Sequence, residues 1–143
     1  MKLSTKTTYG LRALIRLATS QEDKPVSIAH IAQIEDLSPA YLERIMSSLK
    51  KAKLVKAEKG VAGGYSLINE PQKISVLTII NALEKNKNLF QCIKKTNSGD
   101  CSSTCSCQAD LALLSIEGKV QMTLAGINLA ELVKIKKNEK NLN

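Results

Sequence analysis

Aromatic residues are scarce in this chain. Its 143 residues hold three tyrosines, one phenylalanine and no tryptophan, 3% in all. Aliphatic side chains must therefore build the core, and a hydrophobic content of 43% is enough for one domain, or one domain with an appended element. There is a single histidine, His30, far in sequence from any cysteine; it reads as an exposed or phosphate-facing residue rather than a metal ligand. No apolar run approaches the roughly 18 residues that a membrane span needs. Lys6, Arg12 and Arg16 interrupt any signal-peptide core near the start. The expected location is the cytoplasm, with no membrane partner. The sequence also lacks a hydrolytic triad, a phosphate-cradling P-loop and a general acid paired with a base in one motif, so catalysis is not expected. Acidic residues number 13 against 21 basic ones, which leaves a formal charge of +8 and a pI near 9.4. That excess suits a polyanionic partner such as double-stranded DNA, although a merely soluble basic protein would look the same on charge alone.

The stretch from Ser38 to Tyr65 organises what is present. Ser38 is placed to cap a helix, Pro39 suits its first turn, and Glu43 favours the positive end of the helix dipole. Leu42, Ile45, Met46 and Leu49 recur at i, i+3, i+4, i+7 and define one buried face. Ala40, Arg44, Ser47, Ser48 and Lys51 fall on the other side, where small, polar and basic side chains can lie against an anion. Leu54 to Glu58 then alternates like a half-buried strand, and Tyr65 to Ile68 answers it. Between them, Lys59 leads Gly60, Val61, Ala62, Gly63 and Gly64, a loop free to turn tightly or approach another surface closely. A helix followed by a basic, glycine-tipped hairpin is the pattern of a winged helix-turn-helix, whose helix enters the major groove while the hairpin reaches beside it. Ser48, Lys59, Gly60 and Gly63 are accordingly candidate DNA contacts. Lys6 is a candidate phosphate contact, or a solvated lysine.

Upstream, residues 4–20 are expected as a helix capped by Ser4 or Thr5, with Leu11, Leu14, Ile15 and Ala18 buried and Lys6, Arg12 and Arg16 outside that stripe. Ser27 caps a short helix with Ile28, Ile31 and Ala32 at helical spacing, and Glu35, Asp36 and Leu37 connect it to the next. Downstream, a turn containing Pro71 precedes a helix capped by Ser75, with Val76, Ile79, Ile80 and Leu83 as core. Residues 108–125 read as a long helix apolar on two sides: Leu111, Leu114, Met122 and Ala125 on one, Leu113, Ile116, Val120 and Leu124 on the other. The domain can cover one side and a second copy the other, in a twofold dimer. Asn128 and Glu131 form a capping box for a final short helix, and the tail from Lys134 is expected to fray. The fold class is thus mostly α with a small β-hairpin wing. A winged helix-turn-helix domain spans 1–85, a cysteine-rich loop 86–107, a dimerisation helix and C-terminal helix 108–137, and a flexible tail 138–143.

Cys92, Cys101, Cys105 and Cys107 stand in a polar segment among Asn97, Ser98, Gly99, Asp100, Ser102, Ser103 and Thr104. Such a segment has too little apolar surface to order itself, and in a reducing compartment a thiolate-held metal centre is the natural means of fixing it. The C-x8-C-x3-C-x-C spacing fits the usual paired zinc ligands poorly. Thiolates also hold iron–sulfur clusters, at spacings that vary, and a redox-sensing thiol pair is a third reading. All four cysteines could bind, or three with an oxygen ligand. Asp110, one helical turn past Cys107, stands where such an oxygen would; it equally suits the first turn of a helix dipole.

With these motifs in view, the chain resembles the Rrf-type winged helix-turn-helix transcriptional regulators, the family of IscR, NsrR, RirA and CymR. The resemblance runs from L-S-T-K-T-T-Y-G-L-R-A-L through L-S-P-A-Y-L-E-R-I and K-G-V-A-G-G-Y to N-L-A-E-L, nearly the whole chain. It implies a homodimer that binds operator DNA as repressor or activator, with the helix after the cysteines as its dimerisation helix. The positions matching the family's DNA-contacting residues are Ser38, Tyr41, Glu43, Arg44 and Lys59, and in IscR-like members the glutamate matching Glu43 tunes which sites are accepted. Cluster-binding members carry three cysteines here, the last two spaced as Cys101 and Cys107 are. The resemblance therefore implies Cys92, Cys101 and Cys107 as ligands of an iron–sulfur cluster, 2Fe–2S favoured over 4Fe–4S, with Cys105 spare or fourth. IscR-like members add a histidine three residues after the last cysteine, where this chain has Asp110. Some nitric oxide sensors borrow an acid from the partner's first helix, where this chain has Thr8. The fourth ligand then falls to Cys105, Asp110 or an outside group. A zinc-bound or thiol-switched regulator is the nearest alternative. A cluster-bearing electron-transfer protein is one of a different class, which would need neither the wing nor the charge.

Overall fold

Serine begins most of the helices. The computed structural model describes residues 3–20, 24–84 and 108–140, apart from the side chains of 108–110 and 136–140. Within it, α1 (Thr5–Thr19), α2 (Ile28–Glu35), α3 (Pro39–Lys51) and α4 (Val76–Leu83) follow Ser4, Ser27, Ser38 and Ser75. Each of these hydroxyls accepts the backbone N–H three residues on, at 3.2 or 3.3 Å. Such a cap is worth about 1 kcal/mol. The last two helices are α5 (Gln108–Gly126) and α6 (Leu129–Lys140). Asn128 and Glu131 close the expected capping box: Asn128 Oδ1 accepts the Glu131 N–H at 3.1 Å, and Glu131 Oε1 accepts the Asn128 N–H at 3.4 Å. The α6 backbone runs on through the lysine-rich stretch to Lys140, past the end expected for it.

The hairpin pairs β1 (Val55–Glu58) with β2 (Gly64–Leu67), antiparallel, in a register from Val55↔Leu67 to Glu58↔Gly64. On the other edge of β2, Val26 and Tyr65 exchange two backbone hydrogen bonds of 2.9 Å. This bridge ties the wing to the residues just before α2. Gly64 makes it possible, because a Cβ there would run into the Val26 carbonyl. The expected half-buried alternation of β1 is not realised: only Val55 is buried, and Lys56, Ala57 and Glu58 are exposed. Strand β1 leaves the core after its first residue, whereas β2 stays half-buried, with Tyr65 and Leu67 packed against the core.

Helix α1 runs through the centre, in contact with α2, α3, α4, α6 and β2. Its deepest residues are Thr7, Gly10, Ala13, Leu14 and Leu17. Of the stripe expected from the sequence only Leu14 is fully buried; Leu11, Ile15 and Ala18 are half-buried against the same core. The reason is enclosure on several sides, with small residues where other helices come closest: a Cβ on Gly10 would strike the Leu83 side chain of α4. In α3 and α4 the expected faces are the buried ones, Leu42, Ile45, Met46 and Leu49 in the first and Val76, Ile79, Ile80 and Leu83 in the second.

Helix α5 packs along α4, and α6 returns to α1 and to the 3-10 turn Pro71–Lys73. The junction is fixed by two backbone hydrogen bonds of 2.9 Å, Val76 N–H to Ile127 and Leu129 N–H to Ile74, around a fully buried Leu129. Along α5, Leu113, Val120 and Leu124 are half-buried, while Leu111, Leu114, Met122 and Ala125 are exposed. Ile116 departs from its expected side and is 47% exposed. Glu117 takes its place among the covered residues, with Gln121 Nε2 donating to its Oε1 at 3.0 Å. No helix of the described residues is long and apolar enough to cross a membrane.

Candidate nucleic-acid interface

With Leu42, Ile45, Met46 and Leu49 all at 0% exposure, rotation of α3 about its axis is fixed. The residues between them face outward. Glu43, Arg44, Ser47, Lys50 and Lys51 are exposed. Ser38 heads the helix, where its hydroxyl oxygen is occupied by the Tyr41 N–H at 3.3 Å. Tyr41 is half-buried and meets the Tyr9 ring edge-on, 6.1 Å between centroids at 89°. Near the other end, Ser48 accepts from Lys6 Nζ at 2.9 Å and donates to the Arg44 carbonyl at 3.2 Å. The structure thus brings Lys6 of α1 against the exposed side of α3, two candidates that sequence spacing could not relate.

Beyond α3 the chain turns through Lys53, at φ 56°, into the wing. Lys59 is exposed at the tip, followed by Gly60 at φ 115°, a conformation that side-chain-bearing residues rarely adopt. Gly63 donates its N–H to the Gly60 carbonyl at 3.0 Å, and a Cβ on Gly63 would collide with the backbone of Glu58. The two glycines therefore shape the loop. Val61 between them is wholly exposed. His30 is exposed on α2.

Two groups important to the geometry have no local sequence signature. Glu35, the last residue of α2, is buried, and both Arg12 and Arg16 of α1 pair with its carboxylate. Burial pushes that carboxyl's pKa up, but the hydrogen bonds from Arg16 and Arg12 and their charges outweigh it and hold the pKa below the ordinary carboxylate value. Glu84, just after α4, accepts from the Ser4 N–H at 2.8 Å and the Thr7 hydroxyl at 2.6 Å. Its burial is likewise overcome, by Thr7, by Ser4 and by the charge of Lys6, so its pKa is also lowered. The one hint in the sequence is that Arg12 and Arg16 lie one turn apart on a helix whose first turn holds no acid.

Cys92, Cys101, Cys105, Cys107 and the Asp110 side chain lie outside the described residues. Thr8, on α1, is exposed and its hydroxyl donates to the Ser4 carbonyl at 3.4 Å.

A serine-capped helix with a basic outer face, preceded by a short helix and followed by a two-stranded wing, defines the winged helix-turn-helix regulators of transcription. Within that class the chain belongs to the Rrf2 family. The family's profile, described as an iron-dependent transcriptional regulator, matches residues 3–135. The regulator IscR of Vibrio campbellii is 31% identical over 134 residues, 94% of this chain and 78% of the relative. Among solved structures, CymR, the global cysteine regulator of B. subtilis, superposes with a TM-score of 0.77 at 33% identity, over 94% of this chain and 98% of that one. IscR of T. potens gives 0.74 at 32% identity, over 95% and 88%. These relatives are regulators of transcription, and the chain is one as well rather than an enzyme.

Proposed function

We propose that the chain acts as a homodimer in the cytoplasm, reads duplex DNA with α3 in the major groove, and sets the tip of its wing on the adjacent backbone. The observation that carries this reading is the division of α3 into a fully buried apolar face and an exposed face bearing Arg44, Lys50 and Lys51. Arg44 is the direct base reader, since a guanidinium matches the two acceptors on the guanine edge. Glu43 beside it restricts which sites are accepted. Ser38, Tyr41 and Ser48 contact the backbone or bases at either end of the helix. Lys59 and the Gly60 and Gly63 backbone reach phosphate, and Lys6 adds a charge beside Ser48. Phosphate contacts supply most of the affinity, which therefore falls steeply with salt. A random-sequence DNA pool, presented to the protein at moderate salt, tests this. One enriched motif with twofold symmetry is expected; retention of no sequence above background contradicts it.

The cysteine segment is the regulatory element of this reading. Cys92, Cys101 and Cys107 would hold an iron–sulfur cluster, with Cys105 or Asp110 completing the set, and the cluster would supply a redox- or iron-sensitive bond network. The support is the chemistry of the four thiols and the likeness to IscR. Near-equal iron and sulfide in protein purified without oxygen is the expected result. The similarity to CymR favours a second reading, a thiol-switched regulator of the same fold. Protein that carries neither iron nor sulfide, yet binds the same DNA, would select it, and zinc without sulfide would select a structural metal site.

A further inference from the structure

Two arginines one turn apart on α1 close on one carboxylate of another helix. The Glu35 side chain is 3% exposed, while those of Arg12 and Arg16 are 46% and 29% exposed. Both carboxylate oxygens are used: Arg12 Nε donates to Oε2 and Arg16 Nε to Oε1. Arg12 Nη2 also donates to the Glu35 carbonyl at 3.4 Å, so the same side chain holds the backbone at the end of α2. There the chain passes through Asp36 in the left-handed region, φ 53° and ψ 52°, and Ser38 starts α3. On the far side of this turn the Arg12 guanidinium lies 5.5 Å from the centre of the Tyr9 ring. Tyr9 in turn meets Tyr41, in the first turn of α3. One guanidinium thus reaches the residue before the turn directly and, through Tyr9, the tyrosine after it.

We propose that Glu35, held by Arg12 and Arg16, is a positioning residue for DNA recognition: it fixes where α3 leaves the turn and occupies two cations that would otherwise attract phosphate without regard to sequence. The inference rests on the duplex-reading role proposed above. Each carboxylate oxygen of the 3%-exposed Glu35 side chain takes its hydrogen bond from a different guanidinium, so losing either arginine leaves one buried oxygen without its donor. Lysine is not equivalent at either position: an ammonium lacks the planar fork by which Arg12 reaches the carboxylate and the carbonyl together, and the Nε–H that Arg16 gives to Oε1. Removing the carboxylate frees two basic side chains beside the start of α3, which raises affinity for any duplex while the reading helix loses its fixed entry.

The test uses the full chain and a duplex that the wild type enriches from a random pool, with a scrambled duplex of equal length as the non-specific probe. Wild type, Glu35→Gln, Arg12→Lys and Arg16→Lys are measured on both. Each variant is expected to lose about tenfold or more in the ratio of specific to non-specific affinity, with non-specific binding unchanged in the lysine variants and tighter in Glu35→Gln. The lysine variants keep the charge, so a loss in them reports geometry alone; they also serve should Glu35→Gln not fold. A role in folding alone would lower the melting temperature and leave the ratio at the wild-type value. That result for folded Arg12→Lys and Arg16→Lys overturns the proposal. A wild-type chain that enriches no sequence contradicts the DNA-reading role itself.

Discussion

Arg44 stands on the outer face of α3, midway along a helix whose inner face is locked at Leu42, Ile45 and Met46. Replacing it with alanine removes no core contact, so the fold should be unaffected. Specific binding should weaken by about 1–3 kcal/mol and one base position should become permissive, as read by affinity across a set of single-base variants of the enriched duplex. An unchanged preference at every position would remove Arg44 as a base reader. At the same scale, Glu35 and Glu84 make acid stability a property of named groups. Both carboxyls have folded pKa values below the ordinary one. Their contribution is therefore complete above the unfolded glutamate pKa of about 4.3, and is lost as the pH falls through the lowered folded values. Glu84→Gln should lower the melting temperature at neutral pH and flatten its decline in acid. An acid limb as steep as that of the wild type would show that Glu84 is not among the groups responsible.

Elements differ in how well the sequence announces them, and the difference follows from how many sides each one covers. Helices α3 and α4 bury one face each, and their i, i+3, i+4, i+7 pattern names the buried residues without error. The serine caps were equally legible, because capping is decided by neighbours in sequence. Helix α1 was not, since an element enclosed by several others has no single stripe; nor was Ile116 of α5, where Glu117 is covered instead. The Arg12–Glu35–Arg16 group joins residues from different helices, and no spacing rule reaches across them. Of the candidate site, the exposed positions on α3 and the glycine-shaped wing could be read from the pattern, whereas the Lys6–Ser48 contact could not. The wing offers a test at this scale. Gly64→Ala places a methyl group against the Val26 carbonyl, and neither backbone can yield without breaking the paired hydrogen bonds to Tyr65. A loss of about 1–3 kcal/mol in unfolding free energy is expected, measured by chemical denaturation. A neutral effect would mean that the bridge between Val26 and Tyr65 does not set the wing.

At the scale of the whole molecule, α5 is apolar where nothing described covers it: Leu111 is 64% exposed and Met122 77%. A twofold partner on that face is the simplest means of covering it, and would place two α3 helices on one duplex. Met122→Glu should then shift the protein toward monomer in sedimentation and weaken binding to a twofold site far more than to a half-site. A dimer of undiminished stability would move the contact elsewhere. Helix α5 packs on α4, and Glu84, just after α4, accepts from the Ser4 N–H at the start of α1, so in sequence the cysteine segment is flanked by the reading domain on one side and the proposed dimer helix on the other. That adjacency is the basis for proposing that its chemical state controls DNA affinity. The most direct measurement is the affinity of one dimer preparation for the enriched duplex, purified without oxygen and compared before and after its iron and sulfide are removed. A change of about tenfold or more is predicted, a coupling of about 1.4 kcal/mol. Equal affinity in the two states would contradict it.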